Sequence, residues 1–125
     1  NLTWLRIFYL YGDGQPEKAL YSQIKSAVQQ STEYFDMSGG EQLRDYLHVN
    51  SAADHILSLA LRNEDLGVVN ICSGNPISVR NLVEGWIREH QWPIKLNLGC
   101  LPYPTYEPMA FWGDISKLIR CLQQS

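Results

Sequence analysis

The hydrophobic positions at the start of the chain form one nearly continuous run. Residues 2–11 are almost all apolar or aromatic, and Gly12 and Gly14 follow them. A segment that is apolar on both faces, rather than at alternate positions, is typical of a buried strand in a parallel sheet. Because nothing in the sequence precedes this run, we expect the chain to begin in the middle of a sheet.

The rest of the chain alternates between short strand patterns and helices with one apolar face. The predicted segments are a helix in whose first turn Pro16 lies, strands at 33–37 and 43–49, a helix at 51–62, a strand at 67–72, a loop at 73–76, a helix capped by Ser78, an edge strand at 95–98 and a last helix capped by Asp114. This alternation is typical of an α/β fold.

Residues 99–113 break the alternation. They contain three prolines among aromatic residues and show no periodic pattern. A loop of this length is uncommon in a compact domain and is usually either functional or disordered. The aromatic residues argue against disorder. We therefore expect a functional loop.

Composition narrows the class of protein. The chain has 125 residues, of which 45% are hydrophobic and 18% charged, with a formal net charge of -3. These values indicate a globular protein and give no case for nucleic acid as a partner. No apolar run is long enough to cross a membrane. The three widely spaced cysteines favour a reducing compartment, so we expect a cytoplasmic location.

Two patterns in the first helix region are weak signals. Tyr21 and Lys25 have the spacing at which a lysine, one helical turn away, lowers the pKa of a tyrosine for proton transfer. Both residue types are common, so packing and surface roles are expected here. Gly12 and Gly14 begin a dinucleotide-loop pattern that Glu17 fails to complete, so they predict a turn.

Three polar residues are better candidates for binding chemistry. Arg44, in the middle of a predicted strand, can offer a planar fork to a phosphate or form a surface pair with Asp45 or Glu41. His48 is expected to be packed or hydrogen-bonded rather than a metal ligand. Glu107 can accept hydrogen bonds from sugar hydroxyls or be a simple loop carboxylate.

Four blocks of sequence resemble the motifs of a known family, and they stand in the same order as in that family. Residues 5–12 resemble L-R-x-x-N-x-Y-G, and residues 42–49 resemble R-D-Y-x-H-V. The third block is 69–74 with 78–83, resembling N-I-G-S-G and S-V-x-E-L-V, and the fourth is 104–107 with 114–118, resembling R-P-x-[DE] and D-x-S-K-L. Together they resemble the extended short-chain dehydrogenase/reductases of the NAD-dependent epimerase/dehydratase family, which act on nucleotide sugars.

The resemblance implies an α/β fold formed by the C-terminal substrate-binding lobe of such an enzyme plus one Rossmann strand. It implies a single partial domain, in which 1–12 is the last Rossmann-type strand and 13–125 the sugar-nucleotide-binding lobe. In the family, the glycine-rich NAD(P) loop and the catalytic tyrosine and lysine precede the region that this chain resembles. The parent protein would therefore use NAD or NADP, while residues 1–125 would hold no catalytic or cofactor-binding residue and be inactive alone.

The resemblance also implies three substrate-binding residues. Arg44 matches the arginine that binds the substrate diphosphate, and Glu107 matches the acid that contacts the nucleotide ribose. Tyr9 stands where the family has an asparagine at the sugar end, and Pro104 where it has a second phosphate arginine. These two departures favour a 4-ketosugar reductase within the family. The alternative is a non-catalytic binding module.

The expected partner is a nucleotide-diphosphate sugar, with no nucleic acid and no membrane. Self-association is also expected. Trp4, Ile7, Phe8 and Leu10 lie on a predicted strand that requires neighbours on both sides. An unpaired apolar strand edge favours pairing between chains.

Overall fold

The structure is a computed structural model that describes residues 1–123. Its elements in chain order are β1 (Thr3–Ile7), β2 (Tyr9–Tyr11), α1 (Leu20–Gln29), β3 (Tyr34–Asp36), β4 (Leu43–His48), α2 (Val49–Ala60), β5 (Gly67–Ile71), β6 (Pro76–Ser78), α3 (Val79–His90), β7 (Lys95–Asn97) and α4 (Ser116–Gln123). The strand orders are β1-β5, β2-β4-β6 and β3-β7. The α/β class is confirmed.

The described residues divide into two compact units. Unit 1 contains residues 1–12, 45–76 and 112–123, and unit 2 contains residues 13–44 and 77–111. The division of the chain into a Rossmann-type strand, 1–12, and a sugar-nucleotide-binding lobe, 13–125, stays a prediction.

In unit 1, two parallel strand pairs come from one hydrophobic run. β1 pairs with β5, from Thr3↔Gly67 to Ile7↔Ile71, and β2 pairs with β4 at Tyr9↔Tyr46. Parallel pairing is as predicted, but the run is divided at Phe8 because its two halves have different partner strands. The expectation of burial on both faces is wrong, since Trp4 is 64% exposed.

The core of unit 1 lies among β5, α2 and α4. Its buried members are Ala52, Leu59, Val69, Ile71, Leu118 and Cys121. Leu5 and Leu10 pack against this cluster from the two halves of the first run. β1 therefore buries one side, through Leu5, against this core. Its other side, which carries Trp4, is exposed.

Unit 2 pairs β3 with β7 in parallel, from Tyr34↔Lys95 to Asp36↔Asn97. Its buried apolar residues include Ile24 of α1, Phe35 of β3, and Val83 and Trp86 of α3. α3 begins as predicted, because the Ser78 hydroxyl accepts a hydrogen bond from the Asn81 N–H at 3.1 Å.

Several element boundaries differ from the predicted ones; the helix predicted at 51–62, for example, spans Val49–Ala60. α1 begins at Leu20, because Ala19 has an extended backbone conformation and Pro16 lies in a preceding turn. β6 occupies the end of the segment predicted as a loop. The long loop is also partly paired, because residue Ala110 forms a parallel bridge to Leu43. No helix within residues 1–123 has both the length and the apolar character needed to cross a membrane.

Candidate functional site

Arg44 is a buried cation on β4, only 3% exposed. Its Nη1 donates a hydrogen bond to the Leu43 carbonyl at 2.8 Å, and its Nη2 donates to the Pro108 carbonyl at 2.7 Å. Its Cζ lies 4.6 Å from the centre of the Phe111 ring, a cation–π contact. A buried charge requires such partners, and here they hold the guanidinium in one place.

Glu107 is the acid beside this guanidinium. Its Oε2 lies 3.5 Å from the Nη2 of Arg44, and its side chain is 38% exposed. The structure thus brings together two of the three residues predicted to bind substrate. The alternative of a surface pair with Asp45 or Glu41 is wrong, because Arg44 is buried and its ion pair is with Glu107.

The loop that carries Glu107 is fixed at several points. The Leu43 N–H donates to the Met109 carbonyl at 2.8 Å, and the Phe111 N–H donates to the Leu43 carbonyl at 3.2 Å. The Glu107 N–H donates to the Pro104 carbonyl at 3.3 Å, which closes a turn. The acid is therefore presented from an anchored turn, as expected of a functional loop.

Asp45, the next residue on β4, was missed as an organising residue. It is fully buried in unit 1. Its Oδ1 accepts hydrogen bonds from the Ser73 N–H at 2.7 Å and the Ser73 hydroxyl at 2.8 Å. Its Oδ2 accepts bonds from the Gly74 N–H at 2.9 Å and the Gly113 N–H at 3.1 Å. One carboxylate therefore joins three segments of unit 1.

A signal for this role exists in the sequence. Successive side chains of a strand point to opposite faces, so Arg44 and Asp45 on one strand are poorly placed to pair with each other. Two adjacent opposite charges in the middle of a strand therefore indicate that each has a separate buried partner.

Cys72 lies beside the Asp45 carboxylate. Burial, with the negative charge of Asp45 as the next cause, raises the pKa of the Cys72 thiol to about 11. The thiol is therefore neutral at physiological pH and a poor nucleophile. A Cβ atom at Gly113 would lie 2.6 Å from the Cys72 Sγ, so this position has room only for glycine.

Tyr9, the third predicted site residue, lies on β2 in unit 1. It is 41% exposed, and its ring stacks on Tyr46 with the centroids 5.3 Å apart. The Nδ1 of His48 accepts a hydrogen bond from the Asn50 N–H at 3.0 Å, and its ring meets Tyr11 edge-on. The expectation of a packed, hydrogen-bonded His48 is confirmed.

Tyr21 and Lys25 have the packing and surface roles that were expected. Tyr21 is buried in unit 2, with its ring 5.0 Å from Trp86 and its hydroxyl 3.3 Å from the His90 Nε2. Lys25 forms an ion pair with Asp13 at 2.5 Å, and this hydrogen bond raises the pKa of its ammonium group. Lys25 therefore belongs to a surface ion pair with Asp13.

The chain was compared with known proteins. No protein-family model matches it. It is 35% identical over 113 residues to the dTDP-6-deoxy-L-talose 4-dehydrogenase (NAD(+)) of Aggregatibacter actinomycetemcomitans, covering 90% of this chain and 42% of that protein. It is 28% identical over 124 residues to the GDP-6-deoxy-D-talose 4-dehydrogenase of the same organism, covering 98% of this chain and 42% of that protein.

A solved structure of a protein with a similar kind of name also resembles the chain. The NAD-dependent NDP-hexosamine 5,6-dehydratase TunA, from tunicamycin biosynthesis, superposes with a TM-score of 0.77 at 25% identity, covering 94% of this chain and 38% of that one. The family resemblance is confirmed. The chain has the α/β fold of part of an extended short-chain dehydrogenase/reductase, and it spans about two fifths of the length of the curated family members it matches.

Two of these proteins have NAD in their names, and the pair of glycines in this chain is the feature to compare with an NAD-binding loop. Gly12 and Gly14 form a turn, and α1 begins only at Leu20. In a dinucleotide-binding loop the glycines lead directly into a helix whose N-terminus receives the pyrophosphate. Residues 12–20 therefore do not fit a dinucleotide.

Proposed function

We propose that this chain is the nucleotide-sugar-binding part of an NAD(P)-dependent nucleotide-sugar epimerase, dehydratase or reductase. The observation that carries the proposal is the buried Arg44 guanidinium beside the partly exposed Glu107 carboxylate, in a chain that resembles enzymes of nucleotide sugars. The Arg44–Glu107 pair supplies a cation for a diphosphate and an acceptor for hydroxyl groups in one place.

Arg44 binds the diphosphate in this proposal. An arginine has five N–H donors, of which two of those on Arg44 are used by backbone carbonyls. These two bonds and the Phe111 ring fix the plane of the guanidinium, so it needs little ordering when an anion arrives. Charge-assisted hydrogen bonds of this kind contribute about 1.5–3 kcal/mol.

Glu107 binds the ribose, and the ion pair must be exchanged for this to happen. A diphosphate that reached Arg44 beside Glu107 would place its negative charges next to a carboxylate, which is unfavourable. The substrate therefore replaces Glu107 as the partner of Arg44. The released carboxylate is then available to accept hydrogen bonds from ribose hydroxyls.

Within the family we propose reduction of a 4-ketosugar as the reaction of the parent protein. The support is that Tyr9 stands at the position of the family's sugar-end asparagine and Pro104 at the position of its second phosphate arginine. Both curated relatives are named as 4-dehydrogenases, whose reverse reaction is this reduction. Bound NADH or NADPH would supply the hydride to the sugar carbon, and the tyrosine that the family resemblance implies would supply the proton to its oxygen. The second candidate is a non-catalytic binding module that uses the same Arg44–Glu107 pair.

Arg44→Ala in the full-length protein tests the site. It should raise the dissociation constant of the nucleotide sugar by about one to two decades, since 1.4 kcal/mol corresponds to tenfold. Arg44→Lys should recover only part of the loss, because lysine lacks the planar fork. Calorimetry should show unchanged NAD(P) affinity, which also checks folding.

The control for this test is Arg80→Ala. Arg80 is a half-exposed arginine that pairs with Glu84 in the same unit, so its removal should leave the affinity unchanged. If Arg44→Ala binds the nucleotide sugar as tightly as this control does, Arg44 is a structural residue and the site assignment is wrong.

Glu107→Gln tests the exchange of partners. It should bind inorganic diphosphate more tightly than the wild type, because no carboxylate competes for Arg44. Its gain for a nucleoside diphosphate should be smaller, because the ribose acceptor is weakened. Equal gains for both ligands would exclude a ribose role for Glu107.

The 125-residue chain by itself should not bind the cofactor. Titration with NADH, followed by fluorescence, should show no saturation. Saturable binding in the micromolar range would contradict the proposed division of roles.

A further inference from the structure

Tyr106 is an aromatic residue held out in solvent by an ordered turn. It is 85% exposed and directly precedes Glu107. Scattered exposed apolar residues are common on proteins and require no explanation. Tyr106 differs because of the turn that carries it.

The turn around Tyr106 is fixed on both sides. Before it, the Tyr103 hydroxyl accepts a hydrogen bond from the Glu41 N–H at 3.2 Å, and the Pro104 carbonyl accepts one from the Glu107 N–H. After it, the Pro108 carbonyl accepts a bond from Arg44. The ring is therefore displayed from an anchored backbone, which lowers the entropy that a ligand must remove on binding.

The order of these residues matches the order of groups in a nucleotide. In a nucleoside diphosphate, the ribose lies between the diphosphate and the base. On unit 2, Glu107 contacts Arg44 and directly follows Tyr106 in the chain. If Arg44 binds the diphosphate and Glu107 the ribose, an aromatic face is available on the next residue for the base.

We propose that the Tyr106 ring is a stacking platform for the nucleobase, an inference that rests on the proposed function. Every nucleobase has a π-face, and stacking on an aromatic side chain raises affinity by about 5- to 150-fold per base. Such a contact adds affinity for nucleosides without selecting one base. The tyrosine hydroxyl plays no part in it.

The test compares ligands with and without a base on the full-length protein. Calorimetry with thymidine diphosphate, guanosine diphosphate and inorganic diphosphate is carried out on the wild type, Tyr106→Ala and Tyr106→Phe. Tyr106→Ala should weaken both nucleoside diphosphates by about 5- to 150-fold, from the stacking contribution, and leave inorganic diphosphate within about twofold. Tyr106→Phe should match the wild type.

Tyr34→Ala is the matched control, a half-exposed tyrosine on β3 of the same unit, and it should bind all three ligands as the wild type does. Three results would overturn the platform: unchanged nucleoside diphosphate binding by Tyr106→Ala, equal weakening of inorganic diphosphate, or a large loss in Tyr106→Phe. A wild type that bound no nucleoside diphosphate would overturn the proposed function as well, which separates the two failures.

Discussion

The Asp45 carboxylate can be tested by a change of one atom. Asp45→Asn keeps the size of the side chain but replaces one acceptor oxygen with an NH₂ group. If the NH₂ faced Gly74 and Gly113, two backbone N–H groups would lose their acceptor. If it faced Ser73, the Ser73 hydroxyl could rotate to accept a bond, and only the Ser73 N–H would be left unsatisfied.

The second orientation leaves fewer N–H groups unsatisfied, so it sets the expected loss of stability. An unsatisfied buried donor costs about 1–3 kcal/mol, and the remaining bonds lose their charge assistance. We therefore expect Asp45→Asn to lower the free energy of unfolding by about 2–4 kcal/mol. This is a large part of the 5–15 kcal/mol that is typical of a folded protein.

Equilibrium unfolding in urea, followed by tryptophan fluorescence of the full-length protein, measures this loss. Asp13→Asn is the control, because Asp13 forms an exposed ion pair with Lys25 and its loss should leave the free energy of unfolding nearly unchanged. If Asp45→Asn lowers the free energy of unfolding as little as the control does, the Asp45 carboxylate does not hold the three segments of unit 1 together.

Three further predictions concern unit 1. The pKa of Cys72 is raised from 9.0 to about 11 in the folded chain, so the thiol ionises at a lower pH in the unfolded chain than in the folded one. The free energy of unfolding should therefore fall as pH rises from about 9 to 11, and Cys72→Ala should show a smaller fall in urea titrations across that range. Gly113→Ala should destabilise by about 1–3 kcal/mol in thermal unfolding through overpacking against Cys72. Gly85→Ala, in α3, should not, because the added Cβ would make only an ordinary contact with the Arg88 side chain at 3.9 Å. The 125-residue chain should form dimers or larger assemblies through the β1 edge by light scattering, and Trp4→Lys should reduce them; a well-folded monomer at high concentration would count against this edge.

The sequence pattern predicted those elements whose formation depends on residues close together in the chain. The apolar face of α3 and its Ser78 cap follow from a 3.6-residue period and a hydroxyl at the right position. The division at Phe8 has no such signal, because it depends on which strands the two halves meet. β6 is only three residues long, too short for a pattern to emerge.

The site was predicted residue by residue, but its arrangement was not. Family motifs identify Arg44 and Glu107 separately, and nothing in their spacing places one beside the other, since they are far apart in the chain. Their contact depends on the bridge between Leu43 and Ala110, which brings the loop to β4. Tyr9 stays a prediction from its position in the family motif, and its stacking on Tyr46 follows from the strand register.

The parallel pairings have a consequence for how the chain folds during synthesis. Residues joined across β1 and β5 are 64 positions apart, as with Arg6 and Asn70, and Asp36 and Asn97 across β3 and β7 are 61 apart. Such distant pairings impose a large loop-closure entropy and slow folding. The core of unit 1 also requires Leu118 and Cys121 of α4. A ribosome must therefore release nearly all of these residues before β1 gains its full set of partners, and until then its apolar strand must be kept from other chains.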